Sequence, residues 1–545
     1  MLTRLCRVIE QSLRWILPAF SFDQRTHSKP STATSSQRTE ALLALLRQTL
    51  TEGHTRLSLP AFYERVERTP ELRGITSTAL LDALRALQQQ RRILLTETFL
   101  ALTDCIAAEQ QITVGLARLG SRLRRLKEHQ LSLWSEASDA QLSAEQQTAV
   151  HQLAQARLAV LTGAPGTGKT ATIKTLVNLL ECAGYRIELT APTGRAAVRL
   201  QEATGKPART LHRFLRAHRA RRSSVWNWLF PAEQETIIVD EASMLDTFLM
   251  ARLVAVCTPH TKLILVGDVE QLPSVGPGQV LRDLIESDCV PVVELQTNFR
   301  QREGSNITAA AEAIKAGIIP ALPAPGEAQS DCYFIEANTA GEAAQLIVKA
   351  VTRSLPARCG ADPYQSIQVL TPKHRGTLGT AMLNALIQDA LNDQSLSAVP
   401  VTHNQSVFAL GDRVLHTKNN YQLGVFNGEC GSVHTINGDA VAVQYGERLV
   451  NYPRWALPQL THGFAITIHR AQGSEYPFVI IPIHATQQPM LNRALLYTAL
   501  TRARKMAIFI GSRDAFAQAI ANDESTSRQT GLAECLRGSL PPIPR

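Results

Sequence analysis

The chain has 545 residues, 44% of them apolar and 19% charged, with a formal charge of +9 and a pI near 9.2. That length exceeds one core and points to roughly three or four domains of ordinary size; the composition excludes a fibrous or low-complexity chain, and the positive balance suits a polyanion, nucleic acid first. Nine cysteines without a Cys-x-x-Cys pair indicate neither a zinc site nor an iron–sulfur cluster, and they are expected to be reduced, buried fillers of an intracellular, cytoplasmic protein.

The apolar run 15–20 is far too short for a membrane span and contains Pro18, so no membrane association is expected. Residues 1–9 are basic and amphipathic, but Glu10 and the lack of a small-residue cleavage site argue against export and for a helical extension or an overlong start. Residues 27–38, rich in Ser, Thr and Pro, read as a linker. Helical periodicity follows at 39–50, 77–90 and 105–128, with short strands at 92–95 and 99–102. That order fits a winged-helix module or a plain helical bundle. The basic run Arg118, Arg122, Arg124, Arg125 and Lys127 is either a solvated helix face or a DNA contact.

From residue 142 strands alternate with helices: 158–161, 186–189, 236–239, 263–266, 368–370, 478–481 and 507–510 are short, apolar and separated by helix-length segments. This predicts α/β layers on parallel sheets. Between 401 and 460 the helices give way to strands at 406–417, 431–436, 441–445 and 449–452, a small β-barrel inserted into the second α/β unit.

Chemistry concentrates at Gly163, Ala164, Pro165, Gly166, Thr167, Gly168, Lys169 and Thr170, a strand exit followed by a good helix. The glycines let successive amides face the β- and γ-phosphates of ATP, Lys169 adds a point charge, and the Thr170 hydroxyl suits Mg²⁺. The apolar strand 236–239 ends in Asp240 and Glu241, placing one carboxylate for the metal and one as base for the attacking water. Gln271, beyond the strand 263–266, is placed to sense the γ-phosphate. Arg300 and Arg502 are permanently charged forks suited to a transferring phosphoryl group, or ordinary surface arginines.

In order along the chain, these segments resemble the motifs of superfamily 1 DNA helicases, and among them the RecD-like branch. Leu142-Ser143-Ala144-Glu145-Gln146 is similar to the adenine-reading Q motif, Ala191-Pro192-Thr193-Gly194-Arg195 to motif Ia, and Thr210-Leu211-His212-Arg213 to a run of this branch. Asp240-Glu241-Ala242-Ser243 resembles motif II, 267–275 motif III, Phe299-Arg300-Gln301 motif IV, 467–475 motif V and 497–504 motif VI. The resemblance implies two RecA-like domains with ATP between them, held by Gln146, the phosphate loop, Gly473 and Glu475, with Arg300 and Arg502 reaching across. It implies single-stranded DNA and its junctions with duplex as partners, touched by Thr193, Arg195, His212, Thr467 and His469. A 5′-to-3′ polarity, a monomeric state, and a place in recombination or repair beside other proteins follow from it too, as does the alternative of a motor subunit within a RecBCD-like exonuclease.

The expected domains are therefore an extension and linker at 1–38, a helical or winged-helix-like domain at 39–138, and a first RecA-like domain at 139–292 with a pin insert near 206–235. A second RecA-like domain takes 293–400 and 461–545, split by the barrel at 401–460. Departures from the family pattern are Arg470-Ala471 where Lys-Ser is usual, and His462-Gly463-Phe464-Ala465 in place of Ala-Tyr-Ala. The pin segment is short. Its Arg213, Arg216, Arg219, Arg221 and Arg222, with Trp226 and Trp228, read equally as a DNA platform or as a basic helix anchored by tryptophans.

Overall fold

The computed structural model describes residues 35–120, 142–222, 235–299, 305–392, 401–403, 406–420, 422–437, 440–523 and 528–538. Arg300, Trp226, Trp228 and the basic run beyond Arg118 lie outside the described residues.

The amino-terminal module runs helix Ser35–Thr51, strand Arg56–Ser58, helices Leu59–Arg68 and Ser77–Gln89, then strands Ile93–Leu95 and Phe99–Leu102. Phe99–Leu102 lies between the other two strands, antiparallel to both. This order of helices and strands, with the last strand central in the sheet, is that of a winged helix. Thr76 caps the third helix by accepting Ala79 N at 3.3 Å, and Leu42, Leu46, Phe62, Leu84 and Leu100 fill the core. The following helix, Thr103–Gly120, leaves this module and packs on the next domain: a Cβ on Gly115 would stand 2.7 Å from Val254 Cβ.

The first lobe is a six-stranded parallel sheet in the order Ala208–Thr210, Arg186–Ala191, Glu235–Val239, Lys262–Gly267, Leu158–Gly163, Val292–Leu295. Alternate residues of each strand face opposite helical layers. Val160, Ile237 and Leu265 join one core with the helix Thr247–Val256, while Leu161, Ile238 and Ile264 join another with Ala144–Gln155 and Lys169–Cys182. The edge strand Val292–Leu295 carries the first sheet past residue 292, the expected end of the first domain.

The second lobe is a five-stranded parallel sheet ordered Cys332–Glu336, Ala503–Gly511, Tyr476–Ile483, Ile367–Thr371, Ala465–Thr467. The insert is an antiparallel sheet ordered Arg448–Tyr452, Ala440–Tyr445, Cys430–Asn437, Arg413–His416, Leu460–His462. Its expected first strand is two: Ser406–Phe408 pairs with Val401–His403, and Gly411, at φ +83°, turns the chain before Arg413–His416.

The carboxyl-terminal part departs from expectation. Residues 528–538 leave the second lobe and return to the first, where Leu532 is wholly buried beside Ile112 and Leu284. Cys182, Cys289 and Cys359 are exposed rather than buried, because their positions close a helix or a turn instead of facing a core. No helix among the described residues is long and apolar enough to cross a membrane.

Candidate ATP site between the two lobes

The strand Leu158–Gly163 is interior to its sheet and delivers the phosphate loop to the sheet's carboxyl edge, where Gly168 opens the helix Lys169–Cys182. Gly166 and Gly168 have φ of +94° and +83°, and a Cβ at Gly168 would collide with Gln146 Nε2, so this backbone admits glycine alone. Lys169 Nζ donates to Gly163 O at 2.6 Å and Ala164 O at 3.0 Å; burial lowers its pKa, against the pull of Asp268, Glu241 and Asp240. Gln146 is buried, accepts Ser143 N at 3.1 Å and donates to Thr167 O at 3.2 Å. The nitrogen end of its amide thus buttresses the loop, while the oxygen end closes the cap of its own helix.

Asp240 and Glu241 end the strand Glu235–Val239. Glu241 sits at φ +52°, a conformation costly for a residue with a Cβ, and its amide donates to Asp240 Oδ1 at 2.9 Å. Burial, and then the Glu241 carboxylate, raise the Asp240 pKa above the ordinary carboxylate range. Gln271 Nε2 donates to Asp268 Oδ2 at 3.2 Å and leaves buried Oε1 without a partner among the described residues.

These groups and their counterparts on the second lobe line one cleft of about 220 Å³: Gly168, Lys169, Thr170, Asp240, Glu241 and Gln271 on one wall, Gly473, Glu475 and Arg502 on the other. Arg502 is buried, with Nε donating to Thr498 O at 3.1 Å and Nη1 to Ser474 O at 3.2 Å. Burial lowers its pKa, and the Glu241 carboxylate opposes that shift. Gly473, at φ +71°, lets the second lobe approach Ala196: a Cβ there would lie 3.2 Å from the Ala196 Cβ. Glu475 is held by Arg199 from the first lobe and by Arg504 at 2.9 Å. Arg199 also lines the cleft and was missed in the sequence; its signal was its place one helical turn after Arg195.

The expected DNA contacts do not form one cluster. Thr193 caps the helix Gly194–Thr204, accepting Ala196 N at 3.2 Å. Arg195 lies over the Tyr476 ring at 5.2 Å and donates to its hydroxyl at 2.8 Å and to Cys430 Sγ at 3.6 Å, joining both lobes and the barrel. His212 is exposed in the first turn of Leu211–Arg222. Thr467 and Arg470 instead line a second cavity of about 540 Å³ with His374, Thr380, Asn384 and Thr461, between the barrel and the second lobe. His469, half-buried, has its pKa lowered by burial and then by the Arg528 charge.

Residues 141–329 match the AAA domain family, 383–445 the SH3 domain of ATP-dependent RecD-like DNA helicases, and 462–510 the UvrD-like helicase C-terminal domain. The RecD subunit of the RecBCD enzyme from Mycolicibacterium smegmatis is 33% identical over 443 residues, covering 72% of this chain and 75% of that one. The chain belongs to the RecD-like helicase family. The ATP-dependent RecD2 DNA helicase of Deinococcus radiodurans is 38% identical over 396 residues, 73% of this RecD-like chain, which spans about half (52%) of that relative's length. Among solved structures, a Bacteroides Pif1 helicase in complex with ADP-AlF3 and single-stranded DNA matches at a TM-score of 0.45 and 19% identity, over 71% of the RecD-like chain and 96% of the Pif1 chain.

Proposed function

We propose that this RecD-like chain hydrolyses ATP in the interlobe cleft and uses the cycle to move 5′-to-3′ along single-stranded DNA and unwind duplex, in recombination or repair. The observation that carries the reading is the convergence of Lys169, Asp240, Glu241 and Gln271 from one lobe with Arg502 from the other on a single cleft. Lys169 exchanges its two carbonyl partners for phosphate oxygens, and Glu241 takes the proton of the attacking water. Gln271 Oε1, an acceptor without a donor, suits that water. Arg502, and Arg300 by resemblance, oppose the charge that develops on the phosphoryl group.

The donor set fits Mg²⁺. Thr170 and Asp240 are hard oxygen ligands in the cleft, and a dication relieves the burial and like-charge cost that raises Asp240. Held there by Thr170 and Asp240, the ion would offset the charge of the phosphates. Adenine reading by Gln146 requires exchange of its contact to Thr167 O in the loop or of its contact to Ser143 N at the helix cap.

Closure on ATP and release after hydrolysis would move Thr467 and Arg470 relative to Thr193, giving alternate grips on a strand. The contacts would fall on backbone and base faces, with little sequence preference. The likeness to RecD subunits over similar lengths favours a second reading, a motor subunit dependent on a nuclease complex.

Duplexes with 5′ or 3′ single-stranded tails, with Lys169→Ala and Arg502→Ala as controls, test both. Unwinding from the 5′ tail alone is expected. Unwinding from the 3′ tail alone overturns the polarity, and DNA-stimulated hydrolysis without unwinding favours the dependent subunit.

A further inference from the structure

The segment 271–278 starts at the ATP cleft with Gln271 and leads to the helix Val280–Glu286. Its cleft end is fastened to the second lobe: Leu272 N donates to Thr498 Oγ1 at 2.8 Å, and Leu272 O accepts Gln472 Nε2 at 2.9 Å. Its far end is fastened by Arg528. Nη1 donates to Gly278 O at 2.8 Å and Gly276 O at 3.1 Å, and Nη2 to Ser274 O at 2.8 Å.

On its other side the guanidinium lies against Gly53 of the winged-helix module, where φ is +95° and a Cβ would overlap Cζ and Nε of Arg528. Gly53 O in turn accepts Gly278 N at 2.9 Å. The next residues extend the seam: Gln529 O accepts Thr55 N at 3.0 Å and Arg56 N at 3.2 Å, and Thr530 Oγ1 donates to Asp283 Oδ1 at 2.8 Å. The hydrogen-bond partners of Arg528 among the described residues are carbonyl and hydroxyl oxygens, and burial lowers its pKa to about 10. A cation kept in such surroundings without a carboxylate is there for the geometry of its fork, which matches three converging carbonyls in a way a single ammonium matches less well.

We propose that Arg528 is a positioning residue for ATP turnover: by clasping 274–278 against the winged-helix module, it fixes one end of the segment whose other end the second lobe pulls, and so holds Gln271 in the cleft. The inference rests on the proposed hydrolysis at that site. It predicts that the loss falls on turnover and not on nucleotide binding, because Arg528 is not one of the residues that line the cleft.

The test measures DNA-stimulated ATP hydrolysis and the Kd for a fluorescent ATP analogue in the full chain, for wild type, Arg528→Lys and Arg528→Ala. The expected result is a graded kcat, about tenfold lower in Arg528→Ala and intermediate in Arg528→Lys, with Kd within twofold throughout. Partial recovery of Arg528→Ala by millimolar guanidinium ion is expected as well, which a general loss of stability would not give. Wild-type kcat in Arg528→Ala, or Kd weakening in step with kcat, overturns the proposal. If Arg528→Ala does not fold, wild-type kcat in Arg528→Lys overturns it. Failure of the underlying reading is separate: wild-type hydrolysis would then be absent, or would survive Lys169→Ala.

Discussion

Tyr497 donates its hydroxyl hydrogen to Asp268 Oδ2 at 3.1 Å, joining the helix Arg493–Leu500 of the second lobe to the end of the strand Lys262–Gly267 in the first. The same oxygen accepts Gln271 Nε2 at 3.2 Å, so one buried carboxylate links the helix that leads to Arg502 with the side chain that faces the cleft. Burial, and then the Asp268 charge, raise the Tyr497 pKa far above its ordinary value, which keeps the hydroxyl a donor. Tyr497→Phe removes the cross-lobe bond and leaves the ring. Hydrogen bonds to charged groups contribute about 1.5–3 kcal/mol, so kcat for DNA-stimulated hydrolysis should fall on the order of tenfold, with nucleotide Kd within twofold. Unchanged kcat in this variant would show that turnover does not use the link.

Glu241 combines a strained backbone with a position beside Lys169 and Arg502, whose charges both respond to it. Strain retained at a cleft carboxylate points to use, since glycine would occupy the site at less cost. Glu241→Gln should bind ATP as wild type and lose turnover by roughly 10²- to 10⁴-fold. Steady-state hydrolysis and nucleotide titration check this; undiminished hydrolysis removes Glu241 as the base.

How far the site was legible in the sequence depended on whether its parts are local. The phosphate loop, Asp240 and Glu241 are strand ends with their own chemistry, and the alternation of apolar strands announced the parallel sheets. Arg199 was not legible, because its partner Glu475 lies in the other lobe. Arg195 was read as a DNA contact from its motif, and the structure turns its guanidinium to Tyr476 and Cys430. The return of 528–538 to the first lobe escaped for the same reason: its hydrogen bonds include those to Thr55, Arg56, Asp283 and Glu109, hundreds of positions away, and no periodicity encodes them. The short strands of the amino-terminal module were legible in the sequence, while their pairing, with Phe99–Leu102 in the centre, was not.

Asp283 lies in that seam, buried, with Oδ1 accepting Thr530 Oγ1 and Gln279 Nε2, and Oδ2 without a partner among the described residues. Burial raises its pKa from 3.8 to about 7. The folded chain therefore holds a proton that the unfolded chain has released between those values. The stabilising contribution is complete below pH 3.8 and is lost as pH rises through about 7, by a few kcal/mol at most. Asp283→Asn keeps the acceptor and removes the charge, so it should raise the urea midpoint at pH 8 and flatten its decline from pH 5 to 8 by roughly that amount. A decline as steep as in wild type would assign the pH dependence to other groups.

Arg470 stands where the family usually has lysine, exposed at the rim of the cavity that Thr467 and Thr461 also line. If the strand crosses that cavity, the guanidinium meets a phosphate, whose contact carries affinity without sequence information. Arg470→Ala should then weaken binding of single-stranded oligonucleotides about equally for every base composition and reduce the slope of log K against log salt by about 0.7. Arg470→Lys should restore the slope, since counterion release depends on charge, while recovering only part of the affinity, since a point charge replaces a fork. Fluorescence anisotropy at several salt concentrations reads both quantities. An unchanged slope in Arg470→Ala would place the strand elsewhere, and the exposed His212 and Arg213 of the first lobe would be the next positions to test.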